Sequence, residues 1–323
     1  MSNTHVPRYL ERLDELLEPT TLHELTSPAP SMATGFDPLD DVLEGGFRPE
    51  ELVVLGGRPG VGKTITLVQW ARHMAQSGTN VVLAHYEHSE LALLCQLMLI
   101  EVGERVSDSS GSIAARNAIA EILAGRATWA DVVAPDELLS TAAEALADYA
   151  PRVQVLSAEG LRGGMQPLID SVEGDSGANV LVVDHLHKVD PHRASAVTVI
   201  EGLKRLAVER GITVLAAAML DTSSVAARRL RMSHLEEAAP VGHEADLVLM
   251  LNDKLPAVSR AHSAYDSLRA DTFRNQVLLS VEKNRRGQAG VDLEFNRDYA
   301  HRRVDPRGGF VSELLVDDIL VRE

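Results

Sequence analysis

From residue 34 onward, short runs of consecutive apolar residues alternate with longer stretches of helical periodicity. Such runs predict strands buried on both faces, and these strands are typical of a parallel sheet covered by helices on both sides. The predicted strands are Glu51–Leu55, Val81–His85, Val153–Leu156, Val180–Val183, Ile212–Ala217, Leu247–Leu251 and Val277–Glu282, with one or two more in the tail. The predicted helices are Thr64–Gln76, Glu90–Val102, Met165–Val172 and Val197–Glu209, together with an Ala-rich helical stretch over residues 107–150. The pattern predicts an α/β fold with a mostly parallel, twisted sheet.

Residues 7–18 show the one-sided periodicity of a short amphipathic helix. Its apolar face is formed by Leu10, Leu13, Leu16 and Leu17, and Pro19 ends it. Small and Pro-rich residues over 27–34 then predict a linker. We therefore expect residues 1–33 to form a linker helix with its Pro-rich linker, and residues 34–323 to form the main domain. The helix packs either on its own domain or on a neighbouring subunit.

The composition limits the classes of protein that fit. The 323 residues, of which 45% are hydrophobic, are enough to bury a large core. No apolar run reaches the roughly 18–20 residues that span a bilayer, and the N-terminus lacks the layout of a secretory signal, so a cytoplasmic protein without membrane contact is expected. The net charge of −16 and an aromatic content of 4% argue against base-stacking nucleic-acid platforms. Any contact with nucleic acid would be mainly to phosphates.

A glycine-rich loop follows the first predicted strand and opens the first long helix. Its glycines allow the backbone to wrap a phosphate, and its N–H groups with the helix N-terminus form an anion cradle. The lysine reaches the β- and γ-phosphates, and the hydroxyl after it can ligate Mg²⁺. The sequence therefore predicts binding of ATP with Mg²⁺ by Gly57, Arg58, Pro59, Gly60, Val61, Gly62, Lys63 and Thr64.

Two carboxylates lie at the carboxyl ends of predicted strands. Asp184 ends an apolar strand, and a carboxylate at that end of a central parallel strand can hold the Mg²⁺ shell together with Thr64. Glu87 follows the second strand, where it can orient and deprotonate the attacking water. Glu90 competes with Glu87 for this role, although it lies one helical turn further on.

Four histidines flank these carboxylates. We expect them at the carboxyl edge of the sheet near the nucleotide, hydrogen-bonded around the site rather than binding a transition metal, which needs three or four convergent ligands. They are His85, His88, His185 and His187.

At this point the motifs together resemble the motor domain of DnaB-type replicative helicases. The similar segments, in the family's order, are TGFDPLDDVLEGGFRPEELVVLGGRPGVGKT (34–64), YEHSE (86–90), LVVDHLHKV (181–189) and KNRRGQAG (283–290). The resemblance covers about residues 34–295, and the helix at 7–18 resembles the family's linker helix, while the family's separate N-terminal helical domain is not found. The resemblance implies a RecA-like P-loop ATPase that assembles as a hexamer, with ATP bound between adjacent subunits.

Residue by residue, the resemblance agrees with the roles inferred above. Lys63 and Thr64 match the family's P-loop pair. Glu87 matches its catalytic glutamate, and Asp184 matches its Walker B aspartate.

Two cations late in the chain match the family's finger, which reaches across the interface to the neighbour's γ-phosphate. They are Lys283 and Arg285, just after the strand VLLSVE and before a Gly-containing turn. Cations so placed could offset transition-state charge in trans. The alternative is a solvated basic hairpin without a catalytic role.

The chain also departs from the family at positions that touch DNA or couple hydrolysis to movement. Met219 stands where the family has a polar glutamine sensor, and a thioether cannot donate to a phosphate. Glu236 stands where a phosphate-binding arginine is expected. The nearby Arg228, Arg229 and Arg231 either compensate as DNA contacts or form a solvated loop end.

Two functions therefore stay open. The first is an ATP-driven hexameric translocase or helicase on single-stranded DNA. The second is a non-motor RecA-like ATPase whose nucleotide-dependent oligomerisation serves a protein partner. The whole-domain resemblance favours the first, whereas the acidic charge, Met219 and Glu236 favour the second.

Overall fold

The computed structural model describes residues 13–20, 31–87, 89–106, 108–157, 161, 164–173, 177–189, 196–221, 224, 227–236, 238–259 and 267–317. The chain separates into two units, Met1–Pro30 and Ser31–Glu323. In the first unit the described residues contain helix α1, Leu13–Leu16. The start of the predicted helix at 7–18, including Leu10, lies outside the described residues, as does the first half of the predicted linker, residues 27–30. The division into domains 1–33 and 34–323 stays a prediction.

The second unit is built on one sheet, in which the described residues form ten strands. They are β1 Leu52–Gly57, β2 Val81–His85, β3 Val153–Leu156, β4 Val180–Asp184, β5 Thr213–Ala217, β6 Leu247–Asp253, β7 Gln276–Asn284, β8 Val291–Asp298, β9 Arg303–Val304 and β10 Gly309–Phe310. The order across the sheet is β10-β8-β7-β6-β1-β5-β4-β2-β3, with β9 paired to β8. Strand β1, which leads into the glycine-rich loop, is therefore central.

The sheet has a parallel part and an antiparallel part. Strands β1 to β6 pair in parallel with one another, as predicted. Strands β7 to β10 add an antiparallel extension beyond β6. The direction first reverses between β6 and β7, which pair antiparallel. Strands β7 and β8 continue the antiparallel order because a short turn joins them, and a short turn can join only antiparallel neighbours. The prediction of a mostly parallel sheet is confirmed.

The helices fall close to the predicted ones. Those of the second unit are α2 Asp37–Val42, α3 Lys63–Gln76, α4 Glu90–Arg105, α5 Ser109–Leu123, α6 Trp129–Val133, α7 Glu137–Tyr149, α8 Gln166–Glu173, α9 Ala196–Arg210, α10 Ala238–Glu244, α11 Lys254–Ala257 and α12 Ser267–Arg274. Helices α2, α10, α11 and α12 were not predicted: α2, α10 and α11 have seven residues or fewer, which give too little periodicity to recognise, and α12 is short and polar. Within the described ranges, no helix combines the length and apolar character needed to cross a membrane.

Apolar side chains are buried on both faces of the sheet, which explains the continuous apolar strands. In β1, Val53 and Leu55 belong to the core on one face, and Leu52 and Val54 belong to the core on the other. Trp70 of α3 is fully buried in the first core. A separate core joins α4 to the Ala-rich helices α5 and α7. The glycine-rich loop at residues 57–64, called the phosphate loop below, thus connects a strand and a helix that are both packed into these cores.

Candidate functional site

The glycine-rich loop has the backbone that phosphate binding requires. It connects β1 to the N-terminus of α3, a helix of 14 residues. Gly60 and Gly62 have φ angles of 78° and 105°, which favour glycine. A Cβ on Gly62 would lie 2.5 Å from the Tyr299 hydroxyl, whereas a Cβ on Gly60 would meet nothing within 4 Å. One side of the loop is thus closely packed and the other is open, as a phosphate cradle requires.

The open side of the loop faces a large cavity. Its volume is about 810 Å³, within the usual range for a small-molecule site. The cavity is lined by the phosphate loop, by the carboxyl ends of several strands and by a segment after β8. The lining residues are Gly57, Arg58, Pro59, Gly60, Gly62, Lys63, Thr64, Ile65, Glu87, His185, Met219, Leu220, Asp221, Ser224, Tyr299 and Arg302.

Lys63 is buried at the start of α3. Its ammonium donates to the carbonyl oxygens of Gly57 at 2.7 Å and Arg58 at 3.2 Å. Burial lowers the pKa of Lys63, and the negative charges of Asp184 and Glu87 oppose this shift. The partners of Lys63 are therefore neutral carbonyls, with the two carboxylates close enough to stabilise its charge.

Asp184 and Thr64 form the pair expected for Mg²⁺. The Thr64 hydroxyl donates to Asp184 Oδ2 at 2.9 Å. The Nε2 atoms of His85 and His185 lie 3.3 Å from Asp184 Oδ2 and 3.8 Å from Oδ1, respectively. A hydroxyl and a carboxylate at the helix N-terminus are hard oxygen donors, which suit Mg²⁺ bound with a phosphate. The residues at this point of the cavity thus fit Mg-ATP.

The histidines near Asp184 are largely buried. Burial is the main cause that lowers the pKa values of His185 and His187, so both are neutral near pH 7. His185 has a φ of 81°, a conformation that costs a non-glycine residue about 1–3 kcal/mol. His187 Nε2 lies 3.5 Å from Glu236 Oε2. His88 lies outside the described residues.

Glu87, rather than Glu90, lines the cavity. It lies two residues beyond the end of β2, and its carboxylate forms an ion pair with Lys188. Glu90 is the first residue of α4 and is exposed. The geometry therefore brings Glu87 to the nucleotide side of the sheet and leaves Glu90 at the start of the next helix.

Lys283 and Arg285 lie near the turn between β7 and β8, and neither is among the described residues that line the cavity. Lys283 Nζ donates to the Gly242 carbonyl at 2.9 Å and also to the Ala245 carbonyl. Arg285 donates to Asp246 Oδ1 at 3.0 Å. Burial, followed by the charge of Arg285, lowers the pKa of Lys283. Within one chain these cations contact the end of α10, not the phosphate loop.

The arginines predicted as DNA contacts are bonded within the chain. Arg228 donates to the carbonyls of Pro256 at 2.8 Å and Val258 at 2.7 Å. Arg229 is buried and pairs with Asp292. Both guanidinium groups thus have partners within the chain, and DNA contact and a solvated loop end both stay predictions for this segment.

Arg231 is also bonded to carboxylates, although it is more exposed than Arg229. Its guanidinium lies 3.0 Å from Glu282 Oε1 and 3.7 Å from Asp317 Oδ1. Asp317 also lies 3.5 Å from Arg229 NH1. The tail residue Asp317 therefore bridges two of the three arginines.

Tyr299 and Arg302 are cavity residues that sequence reasoning missed. The Tyr299 hydroxyl donates to the Val61 carbonyl and so supports the phosphate loop on its closely packed side. Burial raises the pKa of Tyr299 to about 12, which keeps this donor protonated. Arg302 is exposed, has a φ of 53° and adds a cation to the cavity wall. No local pattern marks either residue, because their position depends on β8 folding back beside a loop more than 200 residues earlier.

Comparison with known proteins now identifies the family. A family model described as the DnaB-like helicase C terminal domain matches residues 31–303. The chain belongs to this DnaB-like helicase C-terminal domain family. Membership confirms the predicted resemblance, the RecA-like fold class and the assignment to the P-loop ATPases.

Individual members of the DnaB-like group are distant in sequence. The chain is 26% identical over 308 residues to the replicative DNA helicase DnaB of Mycoplasma pneumoniae, covering 90% of this chain and 60% of that protein. It is 25% identical to the DnaB of Geobacillus stearothermophilus, covering 86% of this chain and 57% of that protein. The chain thus spans somewhat more than half the length of these relatives. A DnaB-like replicative helicase, solved in a study of its interactions with primase, matches with a TM-score of 0.68 at 18% identity, covering 91% of this chain and 68% of that one, which shows the shared fold.

Proposed function

We propose that this chain hydrolyses ATP with Mg²⁺ as a subunit of a DnaB-like ring that moves along single-stranded DNA. The observation that carries the proposal is the cavity beside the phosphate loop. Lys63, Thr64 and Glu87 line that cavity, and Thr64 bonds to Asp184. These are the groups that ATP hydrolysis requires at one place: a phosphate cradle, a metal-binding pair and a carboxylate base.

Each group has a chemical role in the proposed reaction. The loop amides and Lys63 bind the phosphates, and Thr64 with Asp184 would hold Mg²⁺, which offsets the charge on the β- and γ-phosphates when bound. Glu87 orients a water whose oxygen bonds to the γ-phosphorus. As that bond forms, the bond to the β–γ bridging oxygen breaks, ADP leaves with the electron pair, and Glu87 accepts the proton of the water.

The hexamer is part of the same proposal. Lys283 and Arg285 lie away from the cavity of their own chain, so they can act only on the γ-phosphate that a neighbouring subunit binds. A head-to-tail contact that repeats around a closed ring, here of six subunits, would bring each late hairpin to the next cavity. In this arrangement each active site takes residues from two chains, and we expect such a ring to work in the cytoplasm.

The direct test is ATP hydrolysis with and without single-stranded DNA. In the proposed motor, DNA stimulates turnover and binds with an affinity that falls steeply as salt rises. Lys63→Ala should lower turnover by at least about a hundredfold, because it removes a preorganised cation from the transferring phosphoryl group. Arg126→Ala, which removes an exposed arginine paired with Glu121, is the matched control and should leave turnover unchanged. Full turnover by Lys63→Ala would refute the site.

A second candidate function has its own support in the structure. The carboxylates of Asp292 and Glu282 hold Arg229 and Arg231. Glu236 stays half exposed near Met219, whose carbonyl accepts its N–H. These contacts suit a RecA-like ATPase that assembles with nucleotide to bind a protein partner. That function predicts slow turnover that is indifferent to DNA, so the same assay separates the two candidates.

A further inference from the structure

Glu87, the proposed general base, forms an ion pair with Lys188, which lies beyond the end of a different strand. Strands β2 and β4 are parallel neighbours, with His85 opposite Asp184 in register. Glu87 follows β2, and Lys188 ends the single helical turn Leu186–Lys188 that follows β4. Both side chains therefore project from the same carboxyl edge of the sheet, and their charged ends meet there.

The contact between these two residues is specific but weak enough to break. Lys188 Nζ donates to Glu87 Oε1, and the side chains remain 36% and 41% exposed. Exposed ion pairs contribute little to stability because water screens them and two long side chains lose freedom. The pair can therefore open during a catalytic cycle without disturbing the fold.

The turn that carries Lys188 is anchored on its other side. The neighbouring residue His187 lies 3.5 Å from Glu236. The Glu236 N–H donates to the Met219 carbonyl at 3.2 Å, and Met219 lines the cavity. Leu186 is fully buried between these contacts. The turn is thus fixed in place, and the flexible part of the Lys188–Glu87 contact is the lysine side chain itself.

We propose that Lys188 is a positioning residue that restrains Glu87, so that water activation requires this ion pair to open. The proposal rests on the role given to Glu87 under the proposed function. A carboxylate that accepts a hydrogen bond from an ammonium group has one oxygen occupied and part of its charge offset. It is then a poorer acceptor for the proton of an attacking water, because general-base strength follows the proton affinity of the base.

Electrostatics in the site agree with this placement. The charge of Glu87 acts on Lys63 and on His185, and the charge of Lys188 acts on His185 in the opposite sense. Glu87 therefore lies within Coulombic range of the phosphate loop, and both members of the pair lie within that range of His185. A restraint on Glu87 acts on the proposed base rather than on the groups that bind the phosphates.

The test is single-turnover ATP hydrolysis with the full chain in excess over ATP, so that product release does not limit the rate. Lys188→Met keeps the length of the side chain and removes its charge. It should raise the hydrolysis rate by up to about fivefold, the most that an exposed pair can hold back. The KM for ATP in steady state should not change. Lys188→Arg, which can keep the ion pair, should stay close to the native rate.

The controls separate this inference from the proposed function. Arg205→Met breaks an exposed pair with Glu209 on α9 and should change nothing. Glu87→Gln should abolish turnover, and Lys188→Met added to it should give no gain. If Glu87→Gln stays active, Glu87 is not the base, and the inference about Lys188 is refuted as well. If Glu87→Gln is inactive but Lys188→Met is unchanged or slower, the restraint alone is refuted.

Discussion

The phosphate loop was expected to bind phosphate groups, and Arg228, Arg229 and Arg231 were expected either to contact the phosphates of DNA or to form a solvated loop end. The cations of these two regions have different partners in the structure. Lys63 donates to two main-chain carbonyls, which are neutral. Arg229 and Arg231 pair with carboxylates. A phosphate that approaches Lys63 replaces neutral acceptors with charged ones, and the same holds at Arg228, which donates to the carbonyls of Pro256 and Val258. At Arg229 and Arg231 a phosphate has to compete with charges already present. The comparison shows that whether a cation is available to a phosphate depends more on its partner within the chain than on its place in the sequence.

The late hairpin is intermediate between these two regions. Lys283 donates to carbonyls, as Lys63 does, whereas Arg285 pairs with Asp246, as Arg229 and Arg231 pair with their carboxylates. Asp246 also accepts from the Leu52 N–H and from Lys204, both at 2.8 Å, so its charge is shared among several donors. Arg285 can therefore leave Asp246 without stranding a buried carboxylate.

The largest expected effect comes from this hairpin. Arg285→Ala should lower ATP turnover in assembled protein by at least about a hundredfold, because an arginine supplied in trans stabilises the charge of the phosphoryl-transfer transition state. Arg285→Ala subunits mixed with Lys63→Ala subunits should regain part of the turnover, because a native Lys63 then meets a native Arg285 from the neighbouring subunit. Turnover and size in solution are measured on the same mixtures.

The control for this experiment is Arg126→Ala, which removes an exposed arginine just beyond the end of α5. This variant alone should follow the native rate. Mixtures of Arg285→Ala with Lys63→Ala that regain no turnover would mean that each site is complete within one chain, and an unchanged rate for Arg285→Ala alone would mean that the hairpin has no catalytic role.

Arg229 tests the region in which arginines pair with carboxylates. Arg229→Met should lower the free energy of unfolding by about 2 kcal/mol, because it leaves the partly buried Asp292 carboxylate without its main partner. The urea midpoint measures this loss. Arg205→Met, which removes an exposed arginine, should shift the midpoint little. A stable Arg229→Met variant that has lost salt-sensitive DNA binding would show that Arg229 contacts DNA after all.

Most of the fold could be predicted because it rests on local signals. The apolar strands and the long helices are visible as periodicity, and their boundaries agree with the structure to within a few residues. The antiparallel extension and the short helices could not be predicted, because pairing direction and brief turns depend on contacts between distant parts of the chain. The pairing of β6 with β7 in one direction and with β1 in the other is such a case.

The site divides in the same way. Lys63 and Thr64 belong to a contiguous motif, and Asp184 and Glu87 follow strands that are themselves recognisable, so the sequence predicts their meeting at one sheet edge. Tyr299 could not be predicted, because its role is a hydrogen bond to Val61 across the whole domain. The pairing of Arg229 with Asp292 could not be predicted either, because the sequence shows where a charged residue lies but not which opposite charge pairs with it.

The smallest effect, and the sharpest test of the comparison, concerns Asp317. Its carboxylate lies 3.5 Å from Arg229 and 3.7 Å from Arg231 but is largely exposed, so the pairs contribute little to stability. If the arginines bind the phosphates of DNA, Asp317→Asn should raise the affinity for single-stranded DNA about twofold to threefold at low salt, since it removes a competing charge. The gain should disappear as salt rises, and fluorescence anisotropy across a salt series measures both. Asp305→Asn, which removes a loop carboxylate paired with Arg307, is the control. An affinity that is unchanged at every salt concentration would indicate that the Asp317 carboxylate only positions the arginines. Binding of a protein partner would then explain the surface around Arg229 and Arg231 better than a DNA motor does.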